Sequence, residues 1–593
     1  MTATTPVVWH LGPRSAALAE RLAASLGAAD ILGPQSRELE VAFAASRPIV
    51  AIAAAGIVVR LLAPQLADKR QEPPVLVVDE AGRFVVPLLG GHRGANDLAR
   101  ALAAAIGAEA VVTTAGDARF GLALDAPPEG FRLADPETAK PFMAALLEGA
   151  TCSLEDPAEL AGWLRAGRLP LAETGPLTIE VTHQRRPVAA DRLTFHPATL
   201  AVGVGCERHA DADELIDLAL STLAEAGLAP AAVACIVSVD LKAAEPAIHD
   251  LANRLAVPAR FFPREALAAE TARLETPSAV VAAEIGIPGV AEAAALAAVG
   301  PAGRLVVAKR KSRRCTVAVG LAPTVIDPAT VGRARGLLTV LGFGPGDAAT
   351  RTPAVTRALG AADLVIGYGL YLDLVADLIG GIEQQRYPLG EERDRCVAAI
   401  EAAALGRNVA LVCSGDPGIY AMAALVMELL DKSADEAAER IAVTVLPGVS
   451  ALQVAAARSG APFGHDFAVI SLSDLLTPMA VIEQRLAAAA AGDFALALYN
   501  PVSQRRRTAL ATARRILLDH RPATTPVVIA RNLGRDGEAV VTTTLADLEV
   551  DQVDMLSIVL IGSSQSRSFS RIDGSHCTYT PRGYAVTTTP EQP

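Results

Sequence analysis

The sequence predicts a multidomain α/β protein, and three observations lead to that prediction. Short β-branched runs alternate with alanine-rich helical segments along most of the chain, which is typical of α/β architecture. The 593 residues exceed what one ordinary core holds, so several domains are expected. Residues 322–336 carry two prolines and two glycines without periodicity, and we therefore predict a linker there.

In the first half, two regions alternate clear strand and helix patterns. Between them, at about 130–197, the pattern is weak. The first region predicts strands at 48–52, 75–79 and 110–114 and a helix at 95–106. The weak region predicts one strand, at 178–183. In the region after it, the pattern predicts strands at 200–206, 232–239 and 315–319, with helices at 212–226 and 243–255. These shifts suggest domains at 1–130, 131–199 and 200–321.

Beyond the linker, the chain again alternates apolar runs with helical segments. One group of strands is predicted at 338–341, 364–367, 409–413 and 443–446. A second group is predicted at 467–471, 494–499, 526–530, 540–544 and 557–561. We expect a further domain at 337–584, followed by a short tail at 585–593.

Composition excludes several classes of protein. A net charge of −12 disfavours binding to nucleic acid or to an anionic membrane surface. The longest apolar stretch, 48–59, is shorter than the roughly 20 residues that a membrane-spanning helix needs. The N-terminus lacks the pattern of a secretory signal. The seven cysteines are scattered without a C-x-x-C pair, so we predict a cytoplasmic protein with no disulfide framework and no metal site.

Three glycine-containing loops in the second half each follow a predicted strand. They are Gly-Phe-Gly-Pro-Gly-Asp at 342–347, Ser-Gly-Asp-Pro-Gly-Ile-Tyr at 414–420 and Pro-Gly-Val-Ser-Ala at 447–451. Ligands in open α/β sheets bind beyond the carboxyl ends of strands, so we expect these loops to converge on one crevice. The first loop lacks the third glycine of a dinucleotide fingerprint, which disfavours a dinucleotide oxidoreductase.

These three loops, in this order and at these separations, resemble those of the tetrapyrrole (corrin/porphyrin) methylases. The resemblance covers 337 to about 584 and implies two α/β lobes with S-adenosylmethionine between them. Carried over by residue, it places Pro345 at the floor of the substrate cleft. It also implies that the cofactor is bound by Pro345, Ser414, Gly415, Asp416, Ile419, Ser450, Ala451, Asn500 and Arg531.

Later segments, at 498–507, 531–538 and 554–562, resemble the precorrin-3B C-17-methyltransferase branch, which includes the cobalt-factor III enzyme. Its substrate is a polycarboxylate, and guanidinium groups bind carboxylates well. Candidate substrate-binding residues are therefore Tyr499, Arg505, Arg506, Arg507, Arg531 and Arg535. The alternative is that residues 505–507 form the exposed first turn of a helix.

This branch is associated with ring contraction as well as methylation, and that step needs a base near the C-20 hydroxyl. His465, Asp466 and Glu538 have suitable chemistry, although each also fits a solvated loop. The chain departs from the family at 562–566, where Gly-Ser-Ser-Gln-Ser replaces the expected Gly-Asn-Ser-x-Thr. This departure leaves one detail of ligand contact open.

The first half contains a second dense set of motifs, at 54–96, which resembles the N-terminal domain of the CbiG family. Residues 200–321 are similar to that family's C-terminal domain. The resemblance implies a cobalt-precorrin-5A hydrolase that opens a ring lactone. Gly90-Gly91 before a helix suits an anion, and His92 suits proton transfer. The candidate catalytic residues are Lys69, His92 and Asn96, with Asp79 and Arg93 as further candidates.

Two alternatives stay open at this point. The first half could bind and protect a corrin intermediate without catalysis, or the methylase could act on another tetrapyrrole, a protein or RNA. The acidic net charge makes RNA the least attractive of these. We also predict a homodimer formed through the methylase domain. The sequence leaves open whether the substrate carries cobalt.

Overall fold

The computed structural model describes residues 6–27, 29–66, 72–113, 119–503 and 506–584. The chain divides into two compact units. The first is Met1–Leu337 with the short segments Ala402–Arg407 and Ala434–Ala442, and the second is the remainder. Among the described residues, no helix is long and apolar enough to cross a membrane.

The N-terminal domain is a six-stranded sheet in the order β2-β1-β3-β4-β5-β6. Its strands are β1 Val7–His10, β2 Asp30–Leu32, β3 Ile49–Ile52, β4 Val75–Val78, β5 Phe84–Leu89 and β6 Glu109–Ala110. Its helices are α1 Ala16–Ser25, α2 Ser36–Ala44, α3 Ala55–Leu62 and α4 Ala95–Ile106. Helices cover both faces of the central strands, so β3 and β4 are buried along their whole length.

The middle region forms a sheet of its own, in the order β7-β10-β9-β8. Its elements are β7 Phe131–Leu133, α5 Pro136–Leu147, β8 Cys152–Glu155, α6 Gly162–Ala166, β9 Leu177–Val181 and β10 Arg192–Pro197. Phe142, Phe195 and the edge-on ring of Trp163 fill its core. The sequence pattern predicted only β9 here, because β7 and β8 are short and β10 contains the polar residues Arg192, Thr194 and His196.

The third domain has a sheet in the order β13-β12-β11-β15-β14. Its strands are β11 Leu200–Cys206, β12 Val233–Val239, β13 Ala259–Phe262, β14 Arg304–Lys311 and β15 Cys315–Leu321. Its helices are α7 Ala212–Glu225, α8 Pro246–Leu255, α9 Arg264–Ala268, α10 Ala279–Ile285 and α11 Val290–Val299. Helix α11 packs closely on β11, because a Cβ at Gly203 would lie 1.9 Å from the Ala291 carbonyl oxygen.

Glu292 is a buried carboxylate on α11, with only 1% of the residue exposed. Its Oε2 accepts from the backbone N–H groups of Glu275 and Thr276 at 3.0 Å. Its Oε1 accepts from the Thr276 hydroxyl at 2.7 Å and from the Lys309 N–H at 2.9 Å. Burial acts to raise the pKa of Glu292, but these donors outweigh it and lower the pKa. The carboxylate thus ties a loop and an edge strand to α11.

We expect Glu292→Gln to destabilise the first unit by about 2 to 3 kcal/mol, because the amide NH₂ would face backbone donors. Since the folded pKa is lowered, the carboxylate stabilises the fold above the unfolded pKa of about 4.3, and this contribution is lost as the pH falls through the folded pKa. Urea denaturation of both proteins at neutral and acidic pH measures the difference. Glu225→Gln, at an exposed position on α7, is the control. An equal loss at both pH values would contradict the assignment.

The second unit contains two α/β lobes, and the first has a sheet in the order β18-β17-β19-β16-β20. Its strands are β16 Leu337–Gly342, β17 Leu364–Tyr368, β18 Glu383–Tyr387, β19 Asn408–Cys413 and β20 Ala442–Leu446. The helices of this part of the chain are α12 Pro353–Gly360, α13 Gly369–Asp373, α14 Ala376–Ile379, α15 Glu392–Ala404, α16 Met422–Asp431, α17 Glu436–Glu439 and α18 Ala451–Ser459.

The second lobe has a sheet in the order β22-β23-β26-β24-β25 and a small one in the order β21-β28-β27. Their strands are β21 Gly460–Ala461, β22 Phe467–Ser471, β23 Ala495–Tyr499, β24 Pro526–Arg531, β25 Ala539–Thr544, β26 Ser557–Ile561, β27 Arg567–Ser570 and β28 His576–Tyr579. The helices are α19 Met479–Ala491 and α20 Thr508–Leu518. Strands β22 and β23 are parallel, while β26 runs antiparallel to β23 and β24.

The predicted multidomain α/β class is confirmed, and most predicted strands lie within a residue or two of the observed ones. Three expectations need correction. The strand predicted at 110–114 ends at Ala110, and Thr114 lies outside the described residues. The helix predicted at 243–255 begins at Pro246, which occupies its first turn, and a 3-10 turn precedes it. The polar edge strand β18 has no apolar run, so the sequence did not predict it.

Candidate active site

The three glycine loops of the first lobe meet backbone to backbone. Gly344 and Gly415 form an antiparallel bridge, in which the Gly415 N–H donates to the Gly344 carbonyl at 2.8 Å. A Cβ at Gly448 would lie 2.1 Å from the Gly415 carbonyl oxygen and 2.4 Å from that of Gly342. Such close approach is possible only without side chains. The predicted convergence of the loops is therefore found within the second unit.

Asp416 joins the second loop to the third. Its Oδ1 accepts from the Gly418 N–H at 2.8 Å, and its Oδ2 accepts from the Gly448 N–H at 3.1 Å. The side chain is only partly buried. Each carboxylate oxygen can accept more than one hydrogen bond, so Asp416 retains acceptor capacity toward a ligand.

Tyr499 lies where β23 meets the second and third loops. Its ring packs 5.5 Å from the ring of Tyr420, and its hydroxyl accepts from the Leu452 N–H at 3.3 Å. Burial raises the pKa of Tyr499, although the hydrogen bonds from Leu452 and Ser450 oppose that rise. The phenol is therefore neutral at ordinary pH. Ile419 packs in the same apolar cluster.

Ser450 and Ala451 begin helix α18. Ser450 is 1% exposed and forms a capping box with Gln453, whose side-chain oxygen accepts from both the N–H and the hydroxyl of Ser450. The serine side chain thus caps the helix terminus and also contacts the Tyr499 hydroxyl. A ligand that contacts Ser450 has to do so alongside these hydrogen bonds. Ala451 can offer a ligand its backbone groups and its methyl group.

Asn500 follows β23 and Arg531 is the last residue of β24, so both lie at one end of the strands of the second-lobe sheet. The register pairs β24 and β23 each with β26, which places both strand ends at the amino end of β26. Asn500 adopts a left-handed backbone with φ 49°, and its side chain donates to Ser471 Oγ at 3.0 Å. Arg531 lies 3.7 Å from Asp554 and is half exposed. These two residues, which the resemblance implies bind the cofactor, therefore lie at the same end of the sheet.

Arg535 reaches from the second lobe onto the loops of the first. Its Nε donates to the Pro345 carbonyl at 2.7 Å, and its Nη2 donates to Ser414 Oγ at 3.1 Å. Burial lowers the pKa of the Arg535 guanidinium, while nearby Tyr371 acts to raise it. No carboxylate among the residues that the structure describes pairs with this cation. Arg535 is thus a clamp between the lobes that keeps positive charge available at the cleft.

The arginine run at 505–507 divides into different environments. Arg505 lies outside the described residues. Arg507 is half exposed and pairs with Asp551 at 2.5 Å, whereas the Arg506 side chain is only 13% exposed. Helix α20 begins at Thr508 with Arg507 as its N-cap, so the alternative interpretation as an exposed helix start is wrong for Arg506 but fits the exposed Arg507.

Two of the three candidates for the ring-contraction base lie far from the glycine loops. His465 and Asp466 are exposed and precede β22, whose register pairs Phe467 with Ala495. They therefore lie at the opposite end of the strands from Asn500, about 20 Å away at the usual rise of a strand. The structure does not bring them to the site, and their candidacy is wrong for that reason.

Glu538, the third candidate, lies at the same sheet edge as Asn500 but serves another role. It accepts from the Gly534 N–H at 2.7 Å and pairs with Arg458 at 2.7 Å. These two donors lower the pKa of Glu538. A carboxylate held in this way is a weak base, and it shapes the turn that carries Arg535.

The family departure at 562–566 also lies away from the site. Gly562 follows β26, whose carboxyl end pairs with the start of β23. Ser564 bonds Asp493 through its N–H and its hydroxyl, and the Ser566 hydroxyl lies 2.7 Å from that of Thr580. The substituted serines are therefore part of a hydrogen-bonded network at the end of the sheet opposite Asn500.

In the first half, Gly90 lets strand β5 end in a tight turn. Its φ is 73°, and a Cβ there would lie 2.5 Å from the Pro73 carbonyl oxygen. His92 lies in the 3-10 turn Gly91–Arg93, and Asn96 lies in the first turn of α4, where it is 7% exposed. Lys69 lies outside the described residues.

Asp79 does not join this group. Strand β4 pairs antiparallel with β5, with Val75 opposite Leu89 and Val78 opposite Val85. Asp79 therefore lies at the opposite sheet edge from Gly90. It accepts from the Arg83 and Phe84 N–H groups and pairs with the Arg83 side chain. Its role is to hold the β4–β5 turn, so its candidacy for catalysis is wrong.

Tyr420 and Tyr371 are residues of the site that the motif analysis assigned no role. The Tyr420 hydroxyl donates to the Val469 carbonyl at 2.9 Å and accepts from the Ser471 N–H at 3.1 Å, which joins the second loop to β22. Tyr371 packs edge-on against Phe343 beneath the first loop. Burial raises the pKa of Tyr371, while Arg535 acts to lower it. An aromatic residue directly after a glycine loop was the available signal for Tyr420.

The site described so far defines a class: a two-lobed α/β protein with a junction of glycine loops between the lobes. Comparison with known proteins places it more closely. The model of the tetrapyrrole (corrin/porphyrin) methylases matches residues 337–549. The models of the cobalamin synthesis G N-terminal and C-terminal domains match residues 38–117 and 200–320.

Individual relatives agree with these matches. The precorrin-3B C(17)-methyltransferase of Sinorhizobium sp. is 42% identical over 253 residues, which cover 42% of this chain and 98% of that protein. The cobalt-factor III methyltransferase of Priestia megaterium is 39% identical over 250 residues, which cover 42% of this chain and 45% of that protein. The crystal structure of the methyltransferase CobJ shares 38% identity, covers 42% of this chain and 100% of that one, and superposes with a TM-score of 0.39.

The chain belongs to the tetrapyrrole (corrin/porphyrin) methylase family. Two further regions of the same polypeptide match the models of the N-terminal and C-terminal domains of cobalamin synthesis G proteins. The fusion predicted from the sequence is confirmed.

Proposed function

We propose that residues 337–584 transfer a methyl group from S-adenosylmethionine to C-17 of precorrin-3B or cobalt-factor III, with contraction of the ring. The proposal depends mainly on the similarity to the Sinorhizobium precorrin-3B C(17)-methyltransferase, which extends over 98% of that relative. The junction of Gly342, Gly415 and Gly448 supports the proposal, because an intact junction is what a cofactor site between the lobes requires.

The side chains at the junction suit S-adenosylmethionine. The Asp416 carboxylate fits an ammonium group or a ribose hydroxyl, and the Asn500 amide fits a heterocycle edge. We assign cofactor binding to Pro345, Ser414, Gly415, Asp416, Ile419, Ser450, Ala451, Asn500 and Arg531. When bound, the cofactor supplies a methyl group that its sulfonium charge has already activated.

The protein's own contribution to catalysis is then mainly orientation. Holding a carbon nucleophile and a methyl group in line can contribute several kcal/mol to lowering the barrier. Arg535 suits a substrate carboxylate, because its guanidinium is half-buried at the cleft and has no carboxylate partner among the described residues. We assign substrate contacts to Arg535, Tyr499 and Arg505.

Mass spectrometry tests this proposal directly. The full-length protein is incubated with S-adenosylmethionine and either precorrin-3B or cobalt-factor III. We expect one of the two to gain the mass of one methylene unit, and its identity decides whether the substrate carries cobalt. Methylation of neither tetrapyrrole would refute the proposed substrate class.

For the first half, we propose that it opens the ring lactone of a contracted corrin intermediate, as a cobalt-precorrin-5A hydrolase does. The left-handed turn at Gly90, the following His92 and the start of α4 at Asn96 support this, since a helix N-terminus suits an anion. We assign catalysis to His92, Asn96 and Lys69. The alternative is a non-catalytic domain that binds the intermediate, favoured by the burial of Asn96.

The rate of lactone opening, measured in the His92→Ala and Asn96→Ala variants, distinguishes a hydrolase from a non-catalytic binding domain. We expect at least a tenfold loss of rate if these residues act in general acid–base catalysis, which typically contributes about 10²-fold or more. Asn253→Ala, at an exposed position on α8, is the control. Unchanged lactone opening would refute the site assignment, and no opening by the wild type would favour the binding domain.

We further propose the domain division 1–130, 131–199, 200–321 and 337–584, joined by the linker 322–336 and followed by the tail 585–593. A homodimer formed through the methylase domain is part of the same proposal. Sedimentation of the full-length chain and of residues 337–584 tests the dimer. A monomer in both samples would contradict it.

A further inference from the structure

Arg506 is a largely buried arginine at the Asn500 end of the second-lobe sheet, and its side chain connects separate segments of the chain. Its Nη1 donates to Ser473 Oγ at 3.0 Å and to Asp474 Oδ1 at 3.1 Å. Its Nη2 donates to the Asn500 carbonyl at 3.0 Å. The loop after β22 and the end of β23 are therefore held by one guanidinium.

Asn500 requires such support because of its backbone conformation. A non-glycine residue with φ 49° is uncommon, and asparagine tolerates it better than most residues do. The Asn500 side chain donates to Ser471 Oγ at 3.0 Å, and the same oxygen accepts from the Ser473 N–H at 3.3 Å. Arg506 thus fixes the backbone of Asn500 while Ser471 fixes its side chain.

The charge of Arg506 is already matched. Asp474 pairs with it at 3.1 Å, and only 13% of the arginine side chain is exposed. A substrate carboxylate would have to displace Asp474 to bind there. This distinguishes Arg506 from Arg535, whose guanidinium has no carboxylate partner among the described residues.

The planar guanidinium is needed for this geometry. Arginine presents several donors in a rigid fork, whereas lysine presents a compact ammonium on a flexible stem. Two nitrogens of Arg506 reach acceptors in different segments at hydrogen-bonding distance. A lysine at this position could approach one of those segments but would not span both.

We propose that Arg506 is a positioning residue, which orients Asn500 toward the adenine of the cofactor by holding the Asn500 carbonyl. The inference rests on the proposed function, because it assumes a cofactor beside Asn500. It predicts that loss of Arg506 weakens cofactor binding and leaves binding of the tetrapyrrole nearly unchanged.

The test measures binding of S-adenosylhomocysteine to the full-length protein by calorimetry. We expect Arg506→Gln to raise the Kd about tenfold, which corresponds to the loss of one charge-assisted hydrogen bond. Arg506→Lys should give an intermediate rise, and the KM for the tetrapyrrole should change less than about twofold in both variants. Arg515→Gln, exposed on α20, is the matched control and should bind as the wild type does.

Ser473→Ala serves if Arg506→Gln does not fold, because it deletes one acceptor and leaves every charge in place. We expect it to raise the Kd about threefold. An unchanged Kd in the folded variants overturns the inference. A rise in the KM for the tetrapyrrole alone also overturns it, since that would make Arg506 a substrate ligand. No binding by the wild type refutes the proposed function itself, and the inference falls with it.

Discussion

Replacing Gly448 by alanine is expected to abolish most methyl transfer, with kcat/KM falling about 100-fold or more. The new Cβ would lie 2.1 Å from the Gly415 carbonyl oxygen and 2.4 Å from the Gly342 carbonyl oxygen. Both atoms are backbone, so the loops themselves have to move apart. Overpacking of this kind costs about 1–3 kcal/mol, and a displacement of about 1 Å at a reacting centre can cost 100-fold in rate.

The measurement is steady-state methylation together with binding of S-adenosylhomocysteine. Gly380→Ala in the same lobe is the matched control, because Gly380 has an ordinary φ of −60° and its nearest atom would be 3.9 Å from the new Cβ. We expect the control to retain wild-type kinetics. Full activity in Gly448→Ala would mean that contact between the loops is not needed for cofactor binding.

Arg535→Ala is expected to reduce kcat/KM about 100-fold, which corresponds to about 3 kcal/mol of lost transition-state stabilisation. The substitution removes the donors to the Pro345 carbonyl and to Ser414 Oγ, and with them this bridge between the lobes. The buried acceptors lose their partners at the same time. Kinetics with each substrate varied in turn give the two KM values.

Arg535→Lys separates the two roles that Arg535 can have. If the clamp dominates, lysine fails to restore cofactor binding, because one ammonium does not reproduce two donors in a fixed plane. If a substrate carboxylate is the main partner, lysine restores much of the tetrapyrrole KM and the cofactor Kd is unaffected throughout. Normal kinetics in both variants would exclude Arg535 from the site.

How far the site could be predicted differs from residue to residue. The glycine loops were predictable because three glycine-containing turns, each directly after a strand, rarely occur in this order by chance. The cofactor roles of Asp416 and Asn500 rest on the family resemblance alone and stay predictions. The contact of Arg535 with Pro345 was not predictable, since the two residues are 190 positions apart and no local pattern encodes a hydrogen bond at that separation.

The failures have one physical origin. His465, Asp466 and Asp79 were candidates because their side chains have suitable chemistry, and chemistry carries no information on sheet edges. Strand direction decides that question: the register of β4 with β5 and of β22 with β23 places these residues at edges away from Gly90 and Asn500. The run at 505–507 shows the same limit, because Arg506 is largely buried and Arg507 is half exposed although they are adjacent in sequence.

The sequence by itself determined the α/β class, most of the buried strands and the family resemblance of each half, because apolar periodicity and glycine placement are local properties of the chain. Tertiary structure alone decided which polar groups share a site. Hydrogen bonds and ion pairs between distant segments depend on strand order and register, which local sequence does not contain. In this protein, sequence motifs identify the glycine loops, whereas the contacts of Arg506 and Arg535 form only when the chain folds.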